Sequence, residues 1–168
     1  MFDVPEIESG YGVWRASIWG NQYKDVLKID PKDMSSVVVL RHNAIVLAMQ
    51  QPFWDKYELA KANKVIHPVT QQETDRNPVL LSSSRKEVPE SLDAVALDKY
   101  IARGGIVLAC NLAFDDMVSA VSKKDGGTPE AARKTALAGL VPGVIMQPSG
   151  VFAALHAQDA GCKYLRAS

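Results

Sequence analysis

The chain has 168 residues, 47% of them hydrophobic and 23% charged, which suits one compact domain with a core of its own. Lysine plus arginine equals aspartate plus glutamate at 19 each, and no basic run occurs, so a nucleic-acid partner is not expected. Apolar runs stop short of the roughly 18 residues a membrane span requires. The two cysteines lie far apart without the paired spacing of a zinc site, and nothing in the sequence indicates that they pair.

Phe2-Asp3-Val4 reads as the tail of a strand that Pro5 ends. So short a strand, against the usual length of about 5 to 6 residues, suggests that residues stood before Met1, either a fuller strand or an export signal. A cytoplasmic location is expected if Met1 is the native start, and a periplasmic one if a signal was removed. A helix is predicted over Tyr11–Leu27, with Trp14, Ile18 and Trp19 at helical spacing and the tryptophans in the core or a subunit interface. Val37–Leu40 is a continuous β-type run, as in a strand buried on both faces, and it ends in Arg41-His42-Asn43. A helix is predicted over 52–63. The long polar stretch 65–88 contains His67-Pro68, Asn77-Pro78 and Ser82-Ser83-Ser84. Loops of that length are usually lids, interface arms or disordered.

A further helix is predicted over 89–103, with Leu92, Ala96 and Tyr100 four apart and Gly104-Gly105 as its stop. A strand follows at 106–109, then a helix over 112–122 and a turn through Asp125-Gly126-Gly127. Thr128 caps the next helix, with Pro129 in its first position and Gly139 at its end. A strand at 144–146 leads into a helix from Pro148-Ser149-Gly150 to Gly161, and 162–165 reads as a last short strand. Strands alternating with helices predict an α/β fold with a mainly parallel sheet, in which 37–40, 106–109 and 144–146 are neighbours. The expected organisation is a single domain over 1–168 with an insertion at about 64–90.

Ligands of open parallel sheets bind beyond the carboxyl ends of the strands. Three polar strand ends meet that description: Arg41-His42-Asn43, Cys110-Asn111 and Gln147-Pro148-Ser149-Gly150. Cys110 sits where an apolar strand gives way to a helix. There the dipole and free N–H groups favour a thiolate. Asn111 and Ser149 read as helix caps whose neighbouring N–H groups could hold an anion or a persulfide. His42 is placed to exchange a proton with the thiol, and the two are expected to share one crevice. Structural readings stand beside these. On pattern alone Cys110 is more often a small core hydrophobe and His42 more often structural, and Arg41 reads as the partner of a carboxylate. Asp115-Asp116 read as complements to a helix dipole, and Cys162 as packing. With no Ser/His/Asp order, phosphate loop, nucleotide fingerprint or metal cluster in the sequence, no cofactor and no metal are expected.

The strand ending in Arg41-His42, the segment Gly105-Ile106-Val107-Leu108-Ala109-Cys110-Asn111, and above all the tail Leu140-Val141-Pro142-Gly143-Val144-Ile145-Met146-Gln147-Pro148-Ser149-Gly150-Val151 resemble the DsrE-like family of sulfur-relay proteins. The insertion, with Asp75-Arg76-Asn77-Pro78, is similar to an uncharacterised subgroup of that family in which export signals are common. The resemblance implies a doubly wound α/β domain with a five-stranded, mainly parallel sheet, assembled as homo-trimers or homo-hexamers. It implies that Cys110 accepts sulfane sulfur as a persulfide from a donor protein and passes it to an acceptor. His42 would take the place of a histidine found after the second strand in related members. In some relatives a second cysteine lies nearby, whereas here Asn111, Leu112 and Ala113 follow Cys110. Two functions follow as expectations: a sulfur carrier or sulfurtransferase, with Cys110 and His42 catalytic and Arg41, Asn43, Asn111, Ser149 and Gly150 binding; or a non-catalytic oligomer that holds a small anion or metabolite in the same crevice.

Overall fold

The computed structural model describes residues 1–30 and 33–168. Five strands form one parallel sheet: β1 Phe2–Val4, β2 Val37–Leu40, β3 Ile106–Cys110, β4 Val144–Gln147 and β5 Leu165–Arg166, in the order β4-β3-β2-β1-β5. The helices are α1 Tyr11–Leu27, α2 Gln51–Tyr57, α3 Leu59–Ala62, α4 Leu97–Ala102, α5 Asn111–Asp125, α6 Pro129–Ala138 and α7 Gly150–Asp159.

The strand order explains which face each helix covers. The chain steps in one direction from β1 to β4 and then returns past β1 to β5. Right-handed crossovers put the first three connections on one face and the last on the other. Accordingly Val4, Val38, Leu40, Val107 and Ala109 pack with Val13 of α1, Leu97 of α4, Phe114 of α5 and Ala136 of α6 in the main core. Met1, Val37 and Val39 point the other way and cluster with Ala153 and Ala157 of α7 among the described buried residues. The unbroken apolar run of β2 follows from this, because both its faces are covered. Gly12 lets α1 lie directly on β1, since a Cβ there would stand 2.6 Å from Val4 Cγ1.

Several local expectations are corrected. The helix predicted over 52–63 is two short helices, because Glu58 takes a left-handed conformation with φ 52° between them. The helix predicted over 89–103 is a 3-10 segment, Glu90–Val95, followed by α4. Extended Ala96 separates them and Leu97 N donates to Val79 O at 2.8 Å. The last strand lies at Leu165–Arg166, beyond Cys162, which sits half-buried after α7. A 3-10 segment, His42–Ala48, buried from Ala44 onward, follows β2 and has no counterpart in the sequence reading.

The polar stretch 65–88 is a fastened strap instead of a free lid. Asn77 is wholly buried, donates through Nδ2 to Leu47 O and Met49 O at 3.1 and 2.8 Å, and accepts from Val79 N through Oδ1. Leu81 and Val88 pack with Val95 on Trp14, which places that tryptophan in the core. Trp19 is half-buried between Phe2 and Tyr23.

Replacing Asn77 by leucine leaves two buried carbonyls and one N–H unpaired. A loss of roughly 2–4 kcal/mol in unfolding free energy is expected, measured as a lower urea midpoint with unchanged slope.

Candidate functional site

The register of the sheet builds the site. Leu40 pairs with Ala109 and Cys110 with Gln147. Arg41 stays extended (φ −141°, ψ 171°) and donates N–H to Val4 O at 3.2 Å, so β2's alternation continues through it. Arg41 therefore lies beside Cys110, one strand spacing of about 4.8 Å away, on the face that α7 covers. The same alternation puts Asp3, level with Val39, on that face.

Above these strand ends is an open crevice of about 360 Å³. Arg41, His42 and Asn43 form one side, Cys110, Leu112, Ala113 and Asp116 the second, and Ser149, Gly150 and Val151 the third. Cys110 is 6% exposed. It is the last residue of β3 and the N-cap of α5, and its Sγ accepts from Ala113 N at 3.4 Å. Ser149 caps α7, its Oγ accepting from Phe152 N at 3.0 Å. Gly150 is required by space: a Cβ there would stand 2.4 Å from Arg41 Cβ and 2.7 Å from its Cδ. The arginine stem passes beneath the first turn of α7.

Arg41 is held from β1. Its Nε and Nη2 donate to Asp3 Oδ1 and Oδ2 at 2.7 and 2.8 Å, and Tyr164 Oη donates to Oδ2 at 2.9 Å. Asp3 is 1% exposed. Burial pushes its carboxyl pKa up, but the hydrogen bonds from Arg41 and Tyr164, with the charges of Arg41 and Arg166, outweigh burial and hold it below its ordinary value. The hydrogen bond to Asp3 raises the Arg41 pKa against the effect of burial, with Asp3, Tyr164 and Cys110 adding to the rise.

The remaining sequence-derived residues divide. His42 has a left-handed φ of 50° and a largely exposed ring, with Nδ1 3.4 Å from Glu6 Oε1. It stands at the rim. Asn43 Nδ2 donates to Glu6 Oε2 at 2.8 Å. Asn111 is not the cap of α5; Cys110 is. The Asn111 side-chain oxygen accepts from Arg133 Nη2, outside the crevice lining. Asp115 pairs with Arg133 at 3.1 Å, whereas Asp116 faces the crevice. Cys162 follows the far end of α7, which a ten-residue helix carries about 15 Å from Gly150. Sequence reasoning missed Asp3, Tyr164, Asp116, Leu112 and Val151. A charged residue inside the apolar strand Phe2-Asp3-Val4 was the available signal for the first.

Among the described residues, no group of three or more His, Cys, Asp or Glu side chains could hold a metal ion. Comparisons with protein-family models, with curated proteins and with solved structures gave no match to this chain.

Because the Asp3 pKa is depressed in the folded protein, its contribution to stability is present above the unfolded carboxylate value of about 3.9 and disappears as pH falls through the folded value. Asp3→Asn is expected to melt lower than wild type at neutral pH, with the gap closing below about pH 4. Thermal unfolding followed across acid pH measures it.

Proposed function

We propose that this protein is a sulfur carrier of the DsrE-like type, in which Cys110 holds sulfane sulfur as a persulfide. The observation that carries the reading is the placement of Cys110: it ends a central strand at the floor of an open crevice, caps a helix through its sulfur, and has Arg41 as its neighbour across the sheet. In the transfer step the Cys110 thiolate attacks the outer sulfur of a donor persulfide R–S–SH. A new S–S bond forms to Sγ, the donor S–S bond breaks, and R–S⁻ leaves with the electron pair. Delivery to an acceptor thiolate reverses the exchange, and no net oxidant is consumed. His42 at the rim serves proton movement between the crevice and solvent. Its pairing with Glu6 sets its orientation.

Charge favours this reading over a binding protein for small anions. Arg41 is paired with Asp3, His42 faces Glu6, and the Asp116 carboxylate lines the same crevice. Little positive charge remains for a free dianion. Exposed Leu112 and Val151 at the mouth favour a donor presented by a protein surface.

Intact mass after incubation with a low-molecular-weight persulfide tests the reading. A gain of about 32 Da that dithiothreitol reverses is expected, lost in Cys110→Ser and retained in Cys162→Ser. No gain, or a gain that follows Cys162, sinks it.

The homo-trimer or homo-hexamer belongs to the same proposal. Its supporting surface is the outer side of α7, where Val151, Phe152 and Leu155 are exposed, beside half-exposed Ile145 of β4. Positions 150–158 carry no Asp, Glu, Lys or Arg, so the surface is an uncharged apolar patch of the kind that association buries. Buried Trp14 is not its anchor. Light scattering at micromolar concentration should give three or six chains per particle, and Leu155→Glu a smaller species. A wild-type monomer would refute the assembly.

A further inference from the structure

We infer that Asp3, on a different strand from either crevice residue it serves, is a positioning residue of the sulfur site, acting through Arg41. This rests on the carrier reading of Cys110.

Three observations lead there. Asp3 is the most deeply buried carboxylate near the site, at 1% exposed, and it spends both oxygens on Arg41 while also accepting from Tyr164. The pair is bidentate, so it fixes the plane of the guanidinium as well as its place. It also takes up Nε and Nη2 and leaves Nη1 as the nitrogen with no hydrogen-bond partner among the described residues. Gly150 gives independent support. The first turn of α7 omits a side chain where the Arg41 stem runs, so the helix that walls the crevice lies directly against the arginine.

The chemical consequence concerns the anion at Cys110. A thiolate before transfer and a persulfide anion after it place one negative charge at the crevice floor. Among the described residues, Arg41 is the only arginine or lysine in the crevice lining. A free arginine would sample many rotamers, and its donors would have to be ordered at each turnover. The buried carboxylate orders them in advance. Because Asp3 neutralises Arg41, the guanidinium supplies oriented N–H donors without the net charge that would trap an adventitious dianion. Asp3 itself touches neither sulfur nor substrate.

The test is a double-mutant cycle in a Cys162→Ser background, with glutathione persulfide as donor and intact mass as readout. Arg41→Gln and Asp3→Asn are each expected to slow loading of Cys110 about tenfold, the scale of one charge-assisted hydrogen bond. The double variant should be no slower than Arg41→Gln alone. Full additivity, or an unchanged rate in Asp3→Asn, overturns the inference, because a merely structural role for Asp3 would act in either background. Should Asp3→Asn fail to fold, Tyr164→Phe replaces it. About a twofold to threefold slowing is expected that vanishes when Arg41 is glutamine, and its persistence there counts against the inference. A second readout needs no sulfur transfer: the rate of Cys110 alkylation by iodoacetate relative to neutral iodoacetamide. That ratio should fall in Arg41→Gln and change in Asp3→Asn only while Arg41 is present. A wild-type protein that takes up no sulfur removes the carrier reading, and an unchanged alkylation ratio in Arg41→Gln removes this one.

Discussion

Asp3 sits inside a strand flanked on both sides by other strands, with its side chain out of water. A carboxylate in that position must be paired or it would cost several kcal/mol of desolvation. Much of the molecule around it reads as the answer to that demand. Arg41 continues β2 in extended form so that its guanidinium reaches back to β1. The chain after α7 brings Tyr164 to the same carboxylate and adds a two-residue strand, β5, whose Arg166 lies level with Asp3. Gly150 clears the space in which the arginine stem runs. The same arrangement forms one wall of the crevice that holds Cys110, so the stability of the sheet edge and the geometry of the site depend on one ion pair.

The two faces of the sheet are covered unequally, and the handedness of the crossovers is the reason. Three connections on one face supply a deep core of helices, while α7 alone covers the other. One helix is too narrow for five strands. Its buried side is limited to Gly150, Ala153 and Ala157, whereas Val151, Phe152 and Leu155 face outward and Ile145 of the edge strand stays half-exposed. The start of that helix also borders the Cys110 crevice. The uncovered apolar surface and the candidate crevice are therefore neighbours.

The strap between α3 and α4 illustrates how a polar sequence can be structural. His67 accepts through Nδ1 from Val69 N and Thr70 N at 3.2 Å each, closing a local turn. Glu87 accepts from Ser82 N and from Arg85 and lies 2.6 Å from Arg76 Nε. Asp93 accepts from Ser83 N. The polar groups are spent on satisfying irregular backbone, and this leaves Val79, Leu81 and Val88 free to pack inward. A stretch with little regular secondary structure is thereby fixed to α1, to the segment after β2 and to the start of α4.

By itself the sequence determined the sheet. Val37–Leu40, the run ending at Cys110 and the run through Val144-Ile145-Met146 are continuous apolar segments separated by helical lengths, and a chain of that pattern can bury them only as parallel neighbours. It also determined the caps at Thr128 and Ser149, since those signals are local. What only the tertiary structure decided are the features in which distant backbone competes with local preference. Ala96 breaks a helix because Leu97 N–H meets Val79 O, the 42–48 segment becomes a 3-10 turn buried from Ala44 onward beneath the strap, and Asn111 yields the cap to Cys110 while its own oxygen goes to Arg133. The pairing of Asp3 with Arg41 belongs to this second class. Thirty-eight positions separate the two residues, and only strand register, a property of the assembled sheet, brings the carboxylate to the arginine beside Cys110.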